Sequence, residues 1–170
     1  AVNYYTKKEA FWMDDAGLER IRSKGLKILP LGCGKVAPNL IMEDSIGKKF
    51  SLHQTKAKYT VLVFWDPDCG HCQKEIPLLN KYYDTLKNYG VKIYSVGVEQ
   101  DLDKWKKFLV EHKLEWINVQ DVKLETGFRA TYDITSTPVT YILDENKKII
   151  AKKVSAEQIY QILKNELKIP

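Results

Sequence analysis

The sequence predicts an α/β protein: a central mixed β-sheet flanked by helices, preceded by an N-terminal helical extension. Three observations carry this prediction. YTVLVFW (59–65) is a nearly continuous β-branched and aromatic run, as expected of a central strand covered on both faces. Strand-like and helix-like patterns alternate from Pro38 onward, which favours a sheet joined by crossover helices. Near the end, PVTYILD and KKIIAKK flank Glu145 and Asn146 as a hairpin, adding an antiparallel pair.

Taken in order, residues 1 to about 30 differ from the rest. An aromatic cluster of Tyr4, Tyr5, Phe11 and Trp12 leads into the helix pattern DDAGLERIRSKG. We read 1–30 as a helical extension or a connector from an upstream domain, and 34–170 as the compact domain. KKFSLH has the short alternation of a strand, and YTVLVFW follows. After it Ile76, Leu79, Tyr83 and Leu86 recur at spacings of three and four, marking a helix that ends near Asn88 to Gly90, with Pro77 expected to kink it. VKIYSVGV predicts a second buried strand, Leu102 to His112 a helix and EWINV a short strand. A helix from Leu124 to Thr131 is expected before the hairpin. Ser155 with Gln158 forms a capping box for a last helix with Ile159, Ile162, Leu163 and Leu167 on its core face.

The chain of 170 residues suits one domain with an appendage. No apolar run approaches bilayer-spanning length. The net charge of +5 comes from lysines interleaved with acids, not from a basic block, so no nucleic-acid partner is expected. The densest group, Lys104, Lys106 and Lys107, reads as the wet side of an amphipathic helix. Three cysteines are too few for a disulfide scaffold and allow one internal pair at most.

WDPDCGHCQKE places Cys69 and Cys72 at i and i+3, where a buried strand meets a helix. Unsatisfied N–H groups and the positive end of the helix dipole stabilise a thiolate at Cys69, which makes it the attacking sulfur. Cys72, one turn into the helix, is placed to resolve a mixed disulfide. Lowering a thiol pKa from about 8.5 to about 7 raises thiolate content roughly 15-fold but costs roughly 5-fold in intrinsic nucleophilicity. The larger effect is on leaving-group quality, so Gly70 and His71 between the cysteines tune direction. His71 supplies a cation or a donor to the thiolate, or is simply an exposed polar residue; Asp68 opposes the thiolate.

GKVAPNL, VFWDPDCGHCQKEIP and STPVTYILDENKKII together resemble the thioredoxin superfamily, and within it the TlpA/ResA-like thiol-disulfide oxidoreductases, over about residues 34 to 167. The resemblance implies a thioredoxin fold, Trp65 beside the disulfide, Pro77 as the helix-kinking proline and Pro138 as a cis-proline opposite the cysteines. Thr137 would then contact substrate backbone. Glu75 matches an acidic residue near the active site and is either a proton acceptor for Cys72 or an ordinary surface glutamate. Val63 replaces the usual polar residue of the preceding strand. CGHC is similar to protein disulfide isomerases while its flanks resemble the reductase-like branch, so direction stays open.

The expected activity is thiol-disulfide exchange with protein cysteines, without metal or cofactor beyond the Cys69–Cys72 disulfide, and with an unidentified thiol as electron donor or acceptor. Disulfide isomerisation is one alternative. A thioredoxin-like copper carrier is another, since two thiolates suit Cu(I), although that branch spaces its cysteines differently and adds a distant histidine. Haem attachment would need histidine at position 73, which is Gln73, and His53, His71 and His112 give no second half for a zinc site. Cys33 reads as a free thiol, with capture of the active-site pair as its other reading. The family implies a periplasmic or otherwise extracytoplasmic location, with membrane association only through a further N-terminal segment.

Overall fold

A computed structural model describes residues 29–170 apart from 100 and 122, together with 16, 17, 19, 20, 23 and 25. Tyr4, Tyr5, Phe11 and Trp12 lie outside the described residues. Of the expected N-terminal helix, Ala16, Gly17, Glu19, Arg20, Ser23 and Gly25 are helical.

After a 3-10 turn at Leu29–Leu31 the chain forms β1 (Ile41–Glu43), β2 (Lys49–Ser51), β3 (Tyr59–Trp65), α1 (Cys72–Leu86) and β4 (Val91–Gly97). It continues with α2 (Leu102–Glu111), β5 (Ile117–Gln120), α3 (Phe128–Thr131), β6 (Val139–Leu143), β7 (Ile149–Lys152) and α4 (Ala156–Leu167). The strands make one sheet in the order β2-β1-β5-β4-β3-β6-β7. β3 pairs in parallel with β4 and antiparallel with β6, so the sheet is mixed about its central strand.

The apolar run of β3 is divided between the two faces by the two-residue period of a strand. Val61, Val63 and Trp65 face α1, α2 and α4, against Ile76, Leu79, Trp105, Ile159 and Leu163. Leu62 and Phe64 face the opposite layer, where Phe64 stacks on Phe128 and packs against Tyr132. Among the described residues, that second layer holds α3 and the chain around Leu31 to Leu40, whereas α1, α2 and α4 pack on the first.

Local signals decide where elements end. Asp101 caps α2 by accepting from the Asp103 and Lys104 N–H groups, and Ser155 with Gln158 forms the expected capping box of α4. The hairpin turn is organised by the Asp144 carboxylate, which accepts from the backbone of Asn146 and Lys148. Lys147, in the left-handed region at φ 62, buries its side chain and donates to the Thr55 carbonyl and the Thr60 hydroxyl at 2.7 and 2.8 Å.

Two elements depart from expectation. The helix predicted from Leu124 is only Phe128–Thr131, because the Asp121 carboxylate takes the N–H groups of Glu125 and Thr126 into a turn and Leu124 adopts φ 56. β1, which pairs antiparallel with β2 and touches β5, has no counterpart in the sequence pattern: three residues give too little alternation to recognise.

Candidate active site

The cysteines lie where β3 turns into α1. Cys72 is the first residue of that helix and is fully buried, whereas Cys69 is partly exposed in the preceding turn. Across from them the Thr137–Pro138 peptide is cis, and the Cys69 thiol donates to the Thr137 carbonyl at 3.3 Å. The pair therefore faces the start of β6.

The two thiols are held in opposite senses. Burial alone would raise the Cys69 pKa, but hydrogen bonding with the Thr137 side chain, with the Cys72 backbone and thiol and with the His71 backbone outweighs it and lowers the value. Burial pushes Cys72 up to about 12, and its interaction with Cys69 adds to the rise. The thiolate thus belongs on Cys69 while Cys72 keeps its proton and shares it with its neighbour. Residue types at a helix mouth made this asymmetry readable; its size comes from burial.

His71 occupies the N-cap of α1 without a side-chain cap bond and is exposed, and its backbone N–H favours the Cys69 thiolate. Gly70 has open space around its Cα, so nothing packed against it demands glycine. Asp68 does not act alone: its carboxylate is paired with Lys104 Nζ at 2.6 Å. Lys104 lies on the wet side of α2, as its pattern predicts, and from there it also reaches Asp68. A helix wheel cannot show that the first turn of α2 comes back over the turn before Cys69.

Trp65 is fully buried in the same apolar cluster as Cys72, with Cys69 packed at its margin. Its indole N–H donates to Ser95 Oγ at 2.7 Å; Ser95 in turn donates to Asn118, whose amide bonds the carbonyls of Leu114 and Trp116. Sequence reasoning missed Ser95 and Asn118. The signal was present, since a serine inside the apolar run VKIYSVGV needs a buried partner.

Glu75 is half-buried on α1, and its carboxylate accepts from the Ala156 N–H at 2.6 Å, at the first turn of α4. It ties the active-site helix to the last helix. With His71, Asp133, Thr135, Pro138 and Thr140 it lines a shallow cleft of about 290 Å³ beside the cysteines. A larger hollow of about 770 Å³, around Lys92, Leu109, Leu114 and Trp116, contains no cysteine.

Cys33 lies at the other pole. Its neighbour Gly34 donates to Ile149, which pairs with Leu143 and through it with Thr60, at the end of β3 away from Trp65. Five residue steps along the strand separate Thr60 from Trp65, roughly 16 Å, whereas a disulfide needs Cα atoms within about 7 Å. Capture of the active-site pair by Cys33 within one chain is thus excluded in this fold.

Comparison with known proteins agrees with this architecture. A sequence model of the AhpC/TSA family matches residues 33–152. Thiol-disulfide oxidoreductase ResA of a Bacillus cereus strain is 30% identical over 136 residues, covering 79% of this chain and 76% of that protein. A domain of a possible thiol-disulfide isomerase from Cytophaga hutchinsonii superposes with TM-score 0.76 at 43% identity, covering 82% of this chain and 96% of that one. The thioredoxin domain of a thiol-disulfide oxidoreductase from Bacteroides vulgatus gives TM-score 0.74 at 31% identity, covering 80% and 98%. From motif, sheet order, cis-proline and these matches together, the chain belongs to the AhpC/TSA family, as a TlpA/ResA-like member of the thioredoxin superfamily.

Proposed function

We propose that this protein is a thiol-disulfide oxidoreductase that exchanges disulfides with cysteines of other proteins through Cys69 and Cys72. The observation that carries the proposal is the placement of the two thiols at the mouth of α1, with Cys69 partly exposed and facing the cis Thr137–Pro138 peptide and Cys72 buried behind it. In the reducing direction the Cys69 thiolate attacks a substrate disulfide. A Cys69–substrate bond forms, the substrate S–S bond breaks, and the leaving sulfur takes the electron pair and then a proton. Cys72 next gives up its proton and attacks Cys69; the Cys69–Cys72 bond forms and the second substrate thiolate leaves. The substrate gains two electrons, and two external thiol groups return them to the protein as they are oxidised to a disulfide. Run in reverse, the same steps oxidise a dithiol, and isomerisation uses the first step and its reversal.

Thr137 and Pro138 serve as the docking edge for substrate backbone, Trp65 as the packed wall of the site, and Gly70, His71 and Asp68 as the groups that set the potential. The dithiol suffices without a metal or other cofactor. Residues 34–170 form the working domain. The site is extracytoplasmic by kinship with ResA-named proteins; among the described residues no helix is long and apolar enough to cross a membrane.

Equilibration with glutathione buffers tests the proposal. A two-electron transition carried by Cys69 and Cys72 is expected, with trapping of mixed disulfides by Cys72→Ser. Tight Cu(I) binding without any exchange activity would replace it by the copper-carrier reading.

A further inference from the structure

The turn that presents the attacking sulfur is crowded with negative charge. Carboxylate oxygens of Asp66, Asp68 and Glu99 all lie within 4.8 Å of one another, and Asp68 immediately precedes Cys69. Such a concentration of charge disfavours a thiolate next to it. Against it stands Lys104, whose ammonium reaches Asp68 Oδ2 at 2.6 Å and also feels Asp101 and Glu99.

Lys104 is badly placed for its own helix. It is the third residue of α2, beside the capping Asp101, where the positive end of the helix dipole disfavours a cation. Lys106 and Lys107 follow on the same helix, so solubility does not require this position. A residue that breaks a local rule and makes its close contact with a distant segment, 36 positions away, calls for a role at that contact.

We propose that Lys104 is a positioning residue of the redox pair: by neutralising Asp68 it limits the negative charge beside the Cys69 sulfur and so shifts the balance between dithiol and disulfide toward the dithiol. This rests on the reading of Cys69 and Cys72 as the exchanging pair. Lys104 touches neither substrate nor sulfur; it acts through Asp68. Among the described residues, the other charged or titratable groups near Asp68 and the cysteines are Asp66, Glu99 and Asp101 on the neighbouring turns, Cys72 on the helix side, and His71, Glu75, Asp133 and Lys153 around the cleft beside the cysteines.

The test is a double-mutant cycle in the full chain, reading the glutathione equilibrium constant and the pH profile of Cys69 alkylation. Lys104→Gln should move the equilibrium roughly two- to five-fold toward the disulfide, about 9 to 21 mV more negative, and shift the alkylation profile to higher pH. Lys104→Arg should restore both. In an Asp68→Asn background the Lys104→Gln effect should largely vanish, and added salt should shrink it in the wild-type background, because both groups are about half exposed. An unchanged equilibrium in Lys104→Gln, or an equal effect with and without Asp68, overturns the proposal. If instead the wild-type protein shows no two-electron transition, it is the exchange reading that fails.

Discussion

The difference between the two thiols leads to a quantitative test by alkylation. In a Cys33→Ser background, which removes the exposed third thiol, the reduced protein has only Cys69 and Cys72 to react. A thiol with a pKa of about 12 is thiolate in roughly one molecule in 100,000 at pH 7, against about 3% for an unperturbed thiol near 8.5. The ratio is about 3,000, before any steric protection of a fully buried sulfur is added. Iodoacetamide followed by mass mapping at pH 7 should therefore modify Cys69 alone, and Cys72 should stay at least roughly 100-fold slower even when Cys69 is serine, since burial is the first cause of its rise. Rates within ten-fold of each other would refute the assignment of attacking and resolving roles. The same value sets a condition on turnover: deprotonating such a thiol at pH 7 costs about 7 kcal/mol. Part of that cost disappears once the Cys69 sulfur is bonded to substrate, because its charge and its hydrogen bond to Cys72 are then gone. Cys72 should accordingly react faster in a mixed disulfide on Cys69 than in the free dithiol.

Four further outcomes are expected. The reduction potential should fall by about 59 mV per pH unit below the lowered Cys69 pKa and by about 30 mV above it, the shallower slope continuing toward pH 12 where Cys72 ionises. In stability terms, the contribution of the Cys69 thiolate to the reduced fold is present above the ordinary thiol range and lost as pH falls through its lowered pKa, while that of protonated Cys72 is present below that range and lost toward about 12. Gly97→Ala should destabilise the fold by about 1–3 kcal/mol in urea titration, because the new Cβ would stand 2.5 Å from Trp105 Nε1 and 2.7 Å from its Cδ1, both in the core; an unchanged midpoint contradicts this packing. For Glu75, Gln keeps an acceptor for the Ala156 N–H and Ala does not. If Glu75 ties α1 to α4, Glu75→Gln retains exchange rate and stability while Glu75→Ala loses about 1 kcal/mol; if it accepts the Cys72 proton, both lose rate equally and one limb of the pH profile.

Much of this protein follows from local pattern. The seven-residue apolar run became β3 with the limits Tyr59–Trp65, the three-four spacing became α1, and the capping box closed α4 as written, because each signal is complete within one element. Where a signal spans too few residues or competes with a side chain, pattern fails: β1 is three residues long, and Asp121 diverts the stretch before α3 into a turn. At the site, the cysteine spacing and its place at a helix mouth were visible in the chain alone, since both depend on neighbouring residues.

What only the tertiary structure decided involves groups far apart in sequence. Depth of burial separates the Cys69 and Cys72 protons, and that depth is made by β3, α2 and α4 together. The contacts of Asp68 with Lys104, Glu75 with Ala156, Trp65 with Ser95 and Cys69 with Thr137 join positions 30 to 81 residues apart. The placement of Cys33 at the far pole belongs to the same class, for strand register alone sets its distance from the site. Electrostatic and hydrogen-bond energies fall off over a few ångströms, so they are fixed by closeness in space, which a linear pattern does not encode.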